Sequence, residues 1–329
     1  MGSFEKKTGR TDYSKALERE LKQLVDPKSG LLSHRCSAVI KCPLCKSSTK
    51  EHSLLFVKRG YSFVRCNACR LMFSNPQVLP EIVADGFRNR TFSIWARILT
   101  NKAQFELDVK KYRDVLALIE SHSCADSLLD IGYTGGGIIS EAVRHGWNVT
   151  GLEHIPASFR NAAKNNSGNV LFQRIDQPFP ALQPADCITL FEFLEHVPNP
   201  VNYVTFLRPY LKKSGLLFLL LPNVDSLAAR ILHERAAMFD GRYQLIYYSI
   251  DTITKLLLKC GFKVIHIDTI YTSISPILEH LCYSDPYQAP KDSSVMVLKQ
   301  LKLNKNKAEE WIIKNKLGYK MRVLARRID

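Results

Sequence analysis

From Ser127 onward the chain alternates short apolar runs with amphipathic stretches, and this alternation narrows its fold more than any other feature. The apolar runs read as strands at Ser127–Ile131, Asn148–Leu152, Val170–Gln173, Ala185–Phe191, Gly215–Pro222, Phe262–Thr269 and Met321–Ala325. Helices are expected between most of them, at Gly137–His145, Ala157–Asn165, Pro200–Leu211, Asp225–Arg235 and Asp251–Cys260. Strands that alternate with helices form a parallel sheet, with the connecting helices covering both faces. The stretch 276–317 is too long for a plain loop, so a helical insertion is expected before the last strand.

The first strand runs into a glycine-rich turn, Leu128-Leu129-Asp130-Ile131-Gly132-Tyr133-Thr134-Gly135-Gly136-Gly137, and a helix opens straight after it. Glycines let a backbone bend sharply and approach a ligand closely. The second strand ends at Glu153, about twenty residues beyond Gly132. A carboxylate at that spacing is where dinucleotide-type folds bind ribose hydroxyls. The expectation is an α/β fold with a Rossmann-like, doubly wound, seven-stranded sheet. A tight turn with no ligand is the plainer alternative for the glycines.

Upstream lie Cys42-Pro-Leu-Cys45 and Cys66-Asn-Ala-Cys69, twenty residues apart. Two such pairs on tight turns bring four sulfurs to one centre, the ligand set of a structural zinc. Leu54–Val57 and Tyr61–Val64 have strand character and supply the ribbon. Bound metal would hold together a module too small for a core of its own. The alternative is a set of unrelated buried or redox-active thiols. Of the nine cysteines, Cys36 falls outside the pattern; Cys124, Cys187, Cys260 and Cys282 read as core or near-core residues.

The rest of the chain frames these two features. An amphipathic helix is expected over Tyr13–Val25, stopped by Asp26-Pro27 and Ser29-Gly30, and more helix over Glu81–Ser123. The division is thus 1–35 an N-terminal helical extension, 36–78 a zinc ribbon, 79–123 a helical linker or lid, and 124–329 the α/β domain. No apolar run approaches the roughly 20 residues needed to span a bilayer, and the charged N-terminus lacks the apolar core of a signal peptide. A cytoplasmic protein is the default expectation. The net charge of +15 admits an acidic partner such as RNA, although a solvated basic surface explains it equally. Val295–Lys316 is basic with interspersed apolar residues; it reads as a lid helix or as a helix resting on an anionic membrane surface.

The glycine segment resembles the first motif of class I S-adenosylmethionine-dependent methyltransferases, Asp-x-Gly-x-Gly-x-Gly. Asp130, Gly132 and Gly136 match it, with Tyr133 and Gly135 inside the same turn. Thr134 departs from it, placing a side chain where the middle glycine is expected. Asp176 matches the position that usually faces the adenine amino group. The resemblance runs from about Cys42 to the C-terminus and is closest to bacterial-type enzymes with a CxxC–CxxC ribbon ahead of the catalytic domain; Cys66 to Pro76 looks like their second knuckle.

After the fourth strand comes Phe191-Glu192-Phe193-Leu194-Glu195-His196. Glu192-x-x-Glu195-His196 resembles a motif of two methyltransferase groups that bind a divalent metal, the ubiquinone-pathway O-methyltransferases and the small-RNA 2′-O-methyltransferases. The resemblance implies two alternatives. A metal at Glu192, Glu195 and His196 would activate the acceptor hydroxyl. Without metal, His196 acts as general base or positions substrate with Glu195, and Glu192 lies by the cofactor. Gln244 stands where a further metal-binding His is often found, so the metal shell looks incomplete. The function implied is O- or C-methylation of a small-molecule or glycan-type acceptor. The alternatives are metal-assisted 2′-O-methylation of RNA, or a non-catalytic protein that keeps the cofactor fold.

Overall fold

A computed structural model describes residues 10–86, 89–99, 101–132, 136–155, 159, 169–173, 177–179, 182–272, 274–281 and 304–328. The large sheet has seven strands. They are β6 (Ser127–Ile131), β7 (Asn148–Glu153), β8 (Asn169–Phe172), β9 (Ala185–Phe191), β10 (Leu211–Pro222), β12 (Phe262–Ile270) and β13 (Lys320–Arg327). Their order is β12-β13-β10-β9-β6-β7-β8, with β13 antiparallel to both neighbours and the pairs from β10 to β8 parallel.

β10 shows why the sequence takes this form. Leu216, Leu217, Phe218, Leu219, Leu220 and Leu221 are all fully buried, as a strand covered on both faces requires. Side chains alternate across a strand, so Leu217, Leu219 and Leu221 enter one core layer and Leu216, Phe218 and Leu220 the other. The second layer also takes Val115, Leu116 and Ile119 of the last linker helix and Ile138, Ile139 and Ala142 of the helix after the glycine turn.

Helices α1 (Arg10–Gln23), α2 (Pro80–Gly86), α3 (Arg90–Leu99) and α4 (Lys102–Glu120) form the N-terminal and linker parts, α5 (Gly137–Arg144) follows the glycine turn, and α6 (Pro200–Leu207) follows β9. α6 is shorter than expected. Pro209 has no N–H to continue the helical bonding, and a 3-10 turn over Arg208–Tyr210 leads into β10 four residues early. α7 is only Leu227–Leu232, capped by the Ser226 hydroxyl accepting from the Ala229 amide at 3.2 Å. α8 (Ile250–Lys259) begins with a Ser249/Thr252 capping box. The insertion before β13 contains α9 (Ile274–Leu281) and α10 (Lys305–Lys314). The expected helix over Ala157–Asn165 lies almost wholly outside the described residues. No described helix is long and apolar enough to cross a membrane.

The ribbon is built from β2 (His52–Lys58), β3 (Tyr61–Cys66) and β4 (Met72–Ser74), but its sheet has a fourth strand. That strand is β11 (Ile246–Tyr247), from the α/β segment, antiparallel to β4. Cys42, Leu44, Val64 and Phe73 accordingly share one core cluster with Leu129, Leu217 and Leu257, and the Lys259 ammonium bonds the Leu44 carbonyl at 3.0 Å. A short ladder of β1 (Ser37–Ala38) and β5 (Gln77–Val78) closes the module.

Candidate active site

The two cysteine pairs are built alike. The Lys46 amide returns to the Cys42 carbonyl at 3.0 Å and the Arg70 amide to the Cys66 carbonyl at 2.9 Å. Lys46 and Arg70, each just after the second cysteine, have φ of 64° and 71°. These matching knuckles bring Cys42 to 3.5 Å from Cys69 and Cys45 to 3.5 Å from Cys66, sulfur to sulfur, and all four sulfurs lie within 4.8 Å of one another. Tetrahedral zinc with bonds of about 2.3 Å needs sulfurs roughly 3.8 Å apart. The four cysteines therefore fit a structural zinc, with no position left for a substrate.

At the carboxyl edge of the large sheet, residues 132, 137, 153, 191–193 and 196 join the N-terminal and linker helices around a cavity of about 1190 Å³. Gly132 starts the turn with φ of 76°, and a Cβ there would come within 2.6 Å of the Phe193 ring. Gly137 opens α5 where a Cβ would overlap the Tyr112 ring of α4. Both positions demand glycine, one for backbone shape and one for close packing.

Two acids stand at the strand ends. Asp130 is buried on β6 and accepts a 2.6 Å bond from the Thr189 hydroxyl, its cross-strand neighbour on β9. Its other oxygen has no hydrogen-bond partner. Burial, with the nearby Glu153 charge, pushes its pKa up to about 7. Glu153 is fully buried at the end of β7. Its Oε1 accepts from the His154 and Ile155 amides at 2.8 and 2.9 Å, and Oε2 has no hydrogen-bond partner among the described residues.

The loop after β9 supplies the remaining groups. His196 Nδ1 lies 2.7 Å from the Tyr243 carbonyl. A carbonyl can only accept, so Nδ1 carries a proton and donates to it. The same loop is tied back by the Leu245 amide donating to the Glu195 carbonyl at 2.9 Å, while the Leu245 carbonyl accepts from the Ser74 amide of the ribbon. Glu195 is buried with neither carboxylate oxygen hydrogen-bonded, and burial raises its pKa to about 7.

Residues 94–267, more than half of the chain, match a family described as a methyltransferase domain. The chain belongs to this family. Among curated methyltransferases it is similar to the ubiquinone biosynthesis O-methyltransferase of Glaesserella parasuis serovar 5 (strain SH0165), 36% identical over 103 residues, which is 28% of this chain and 43% of that one. The protein of the same name from Coxiella burnetii (strain Dugway 5J108-111) is 37% identical over 98 residues, 28% of this chain and 41% of that one. The matched region thus spans less than half the length of these relatives. Among solved structures, magnesium protoporphyrin IX methyltransferase from Synechocystis PCC 6803 with bound SAH gives a TM-score of 0.50 at 15% identity, covering 75% of this chain and 99% of that one. That likeness is one of fold.

Within this methyltransferase domain, Gly132, Glu153, Glu192 and His196 line one cavity. Gly136 has φ of 68° and leads into α5; Asp130 lies buried beneath the turn. Tyr133, Thr134, Gly135 and Asp176 lie outside the described residues.

Of the two alternatives at Glu192, Glu195 and His196, the divalent metal finds no gathered ligand set in this structure. Among the described residues the four cysteines are the one group of three or more metal-type ligands gathered at a common point. Glu192 instead contacts the Lys320 ammonium. Burial alone would raise the Glu192 pKa, but Lys320 and Lys111 overcome it and hold the carboxyl below its ordinary range.

The sequence reading took the 79–123 linker as a lid but missed the part of α1 in the wall opposite the strand ends. Arg10, Tyr13 and Leu17 of α1 line the cavity together with Trp95 of α3 and Lys111 of α4. Glu20 of α1 is buried against the Arg242 guanidinium at 2.6 Å and accepts from the Tyr243 hydroxyl at 2.7 Å. Lys320 lies opposite Pro222 in the β13–β10 register. Because β13 runs antiparallel, its first residue falls at the carboxyl edge, where parallel α/β sheets bind ligands. The direction of the last strand was the signal that would have pointed to Lys320.

Proposed function

We propose that this chain is an S-adenosylmethionine-dependent O-methyltransferase acting on a small-molecule acceptor. Glu153 carries the reading. A buried polar atom without a partner is uncommon in a folded protein, and here one carboxylate oxygen is fixed by two main-chain amides while the other meets no donor among the described residues. A ribose hydroxyl pair supplies the missing donors. Further support comes from the family membership and from relatives named as O-methyltransferases.

When bound, the cofactor supplies an activated methyl group on its sulfonium. The chain's own residues do the rest. Gly132 and Gly136 would hold the cofactor and Glu153 its sugar, and by the family resemblance Tyr133, Gly135 and Asp176, outside the described residues, would complete its contacts. Helices α1, α3 and α4 close over the cavity and shield it from water, which strengthens each electrostatic contact inside. His196, with Nδ1 tied to Tyr243, accepts the acceptor's hydroxyl proton at Nε2. Most of the rate comes from alignment, since the methyl group is already electrophilic. Zinc on Cys42, Cys45, Cys66 and Cys69 holds the ribbon whose sheet takes in β11, so the metal supports the segment that orients His196.

In this reading 1–35 and 79–123 form the cover, 36–78 the zinc ribbon and 124–329 the catalytic domain, in a cytoplasmic protein. Calorimetry with S-adenosylmethionine tests it. The full chain should bind, and Glu153→Gln should weaken binding by about 10- to 100-fold, the value of one charged hydrogen bond. Absence of binding by the unaltered chain would sink the proposal.

A further inference from the structure

Glu192 sits where the chain leaves β9, its amide bonded to the Leu220 carbonyl at 2.8 Å and its φ at 50°. A non-glycine residue in this region is uncommon and tends to mark a functional position. The bend turns its carboxylate into the cavity, and what meets it there is the Lys320 ammonium from β13. Lys320 is mostly buried, its side chain 14% exposed. On the far side stands Lys111 of α4, paired with Asp108 at 2.7 Å and likewise mostly buried. Charges therefore alternate across this corner of the cavity, with two carboxylates matched by two ammonium groups.

We propose, on the methyltransferase reading above, that Lys320 takes the place of a divalent cation at the Glu-x-x-Glu-His segment, making this enzyme's site independent of added metal. A divalent ion needs several oxygen or nitrogen ligands converging on it. With Glu192 engaged by this ammonium, Glu195 and His196 do not meet it at a common point. An incoming dication would have to expel Lys320 from a largely buried position, and Lys111 adds further repulsion. The ammonium also supplies what the metal would. It is a fixed positive charge at the cavity wall with three N–H donors, able to stabilise an acceptor oxygen as its proton leaves for His196. The field of Lys320 extends to Glu195 as well, favouring its charged form, so one side chain serves the whole segment. The tethered cation costs the protein nothing in metal selectivity, whereas a carboxylate and imidazole site would accept several divalent ions.

The probe is Mn2+ alone, titrated into the full-length, zinc-loaded protein and followed by the electron paramagnetic resonance of the free ion. Thiolate sites strongly prefer zinc, so the ribbon does not compete for manganese. The unaltered protein should take up no Mn2+ at the Glu192 corner. Lys320→Met should gain a site binding at least roughly ten-fold tighter than any in the parent, as the repelling charge is gone. The double variant Lys320→Met/Glu192→Gln should lose it again, and Lys320→Arg should stay blind to Mn2+. A stoichiometric Mn2+ site in the parent that Glu192→Gln abolishes would overturn the proposal. So would a folded Lys320→Met, confirmed by its melting curve, that binds no Mn2+. Calorimetry with S-adenosylmethionine on the same samples keeps the two readings apart: loss of cofactor binding in the parent strikes the methyltransferase reading, while the Mn2+ result judges Lys320.

Discussion

The wall of the cavity formed by strand ends and the wall formed by helices are held by different kinds of contact. At the strand ends, Asp130 bonds Thr189 on the neighbouring strand, and Glu153 bonds the amides of the next two residues. Every described partner is supplied by the sheet or by the adjacent backbone. On the helical side, Glu20 of α1 reaches Arg242 and Tyr243, more than two hundred residues away. The His196 ring depends on the Tyr243 carbonyl, and β11 beyond it depends on the ribbon. The strand-end wall is held by contacts within the sheet and its adjacent backbone, whereas the helical wall draws together three pieces remote in sequence. Changes to remote residues should therefore damage one wall and spare the other.

The largest effect is expected from Cys42→Ser. Structural zinc sites contribute on the order of 10 kcal/mol to the folding of the modules they hold. The variant should lose its zinc by elemental analysis and melt roughly 10 °C or more below the parent. Because β4 pairs with β11, limited proteolysis should then open the 237–247 segment. Were that segment to remain as protected as in the parent, the ribbon would not be supporting the helical wall.

Next comes Glu20→Ala. It leaves the Arg242 guanidinium buried without its carboxylate, a change that costs about 3–5 kcal/mol. Chemical denaturation should show that loss, and the double variant Glu20→Ala/Arg242→Met should recover part of it. Affinity for S-adenosylmethionine should hardly move, since Glu20 belongs to the helical wall. A large loss of cofactor affinity in a folded Glu20→Ala protein would show that the walls are coupled.

The same contrast explains what could be read from the sequence. The central strands of the large sheet were legible because a strand covered on both faces must be a continuous apolar run, and Leu216–Leu221 is one. Gly132 at the start of the turn and Glu153 at the end of β7 could be placed because their positions follow from local backbone and from spacing along the chain. Glu20 was not, because a charged residue on an amphipathic helix looks the same whether it meets water or a buried arginine. Lys320 was hidden by strand direction, which periodicity does not encode. The metal alternative at Glu192, Glu195 and His196 rested on closely spaced positions along the chain, and the fold turns Glu192 toward a lysine from the far end of the chain. β11 escaped notice because two residues, Ile246 and Tyr247, are too few to show any period.

A finer comparison of the two walls comes from their buried acids. Asp130 stands under the strand-end wall, and Glu195 in the loop tied to Leu245. Burial raises each pKa to about 7, from unfolded values of about 4. A raised carboxyl pKa means that the folded state binds the proton more tightly. The resulting stability is fully present below about pH 4 and is lost as the pH rises through 7. Asp186, whose pKa is lowered to about 2, changes protonation only below this window. His52, lowered by burial, opposes the trend near pH 6, so the reading is taken as a difference between parent and variant. Glu195→Gln and Asp130→Asn should each flatten the dependence of stability on pH between 5.5 and 8, by at most about 1.4 kcal/mol per pH unit, the value of one proton. If the walls are independent, the two reductions should add to within about 0.5 kcal/mol in the double variant. A shortfall well beyond that would mean the acids titrate together, and the division of the cavity into two separately built walls would have to be given up.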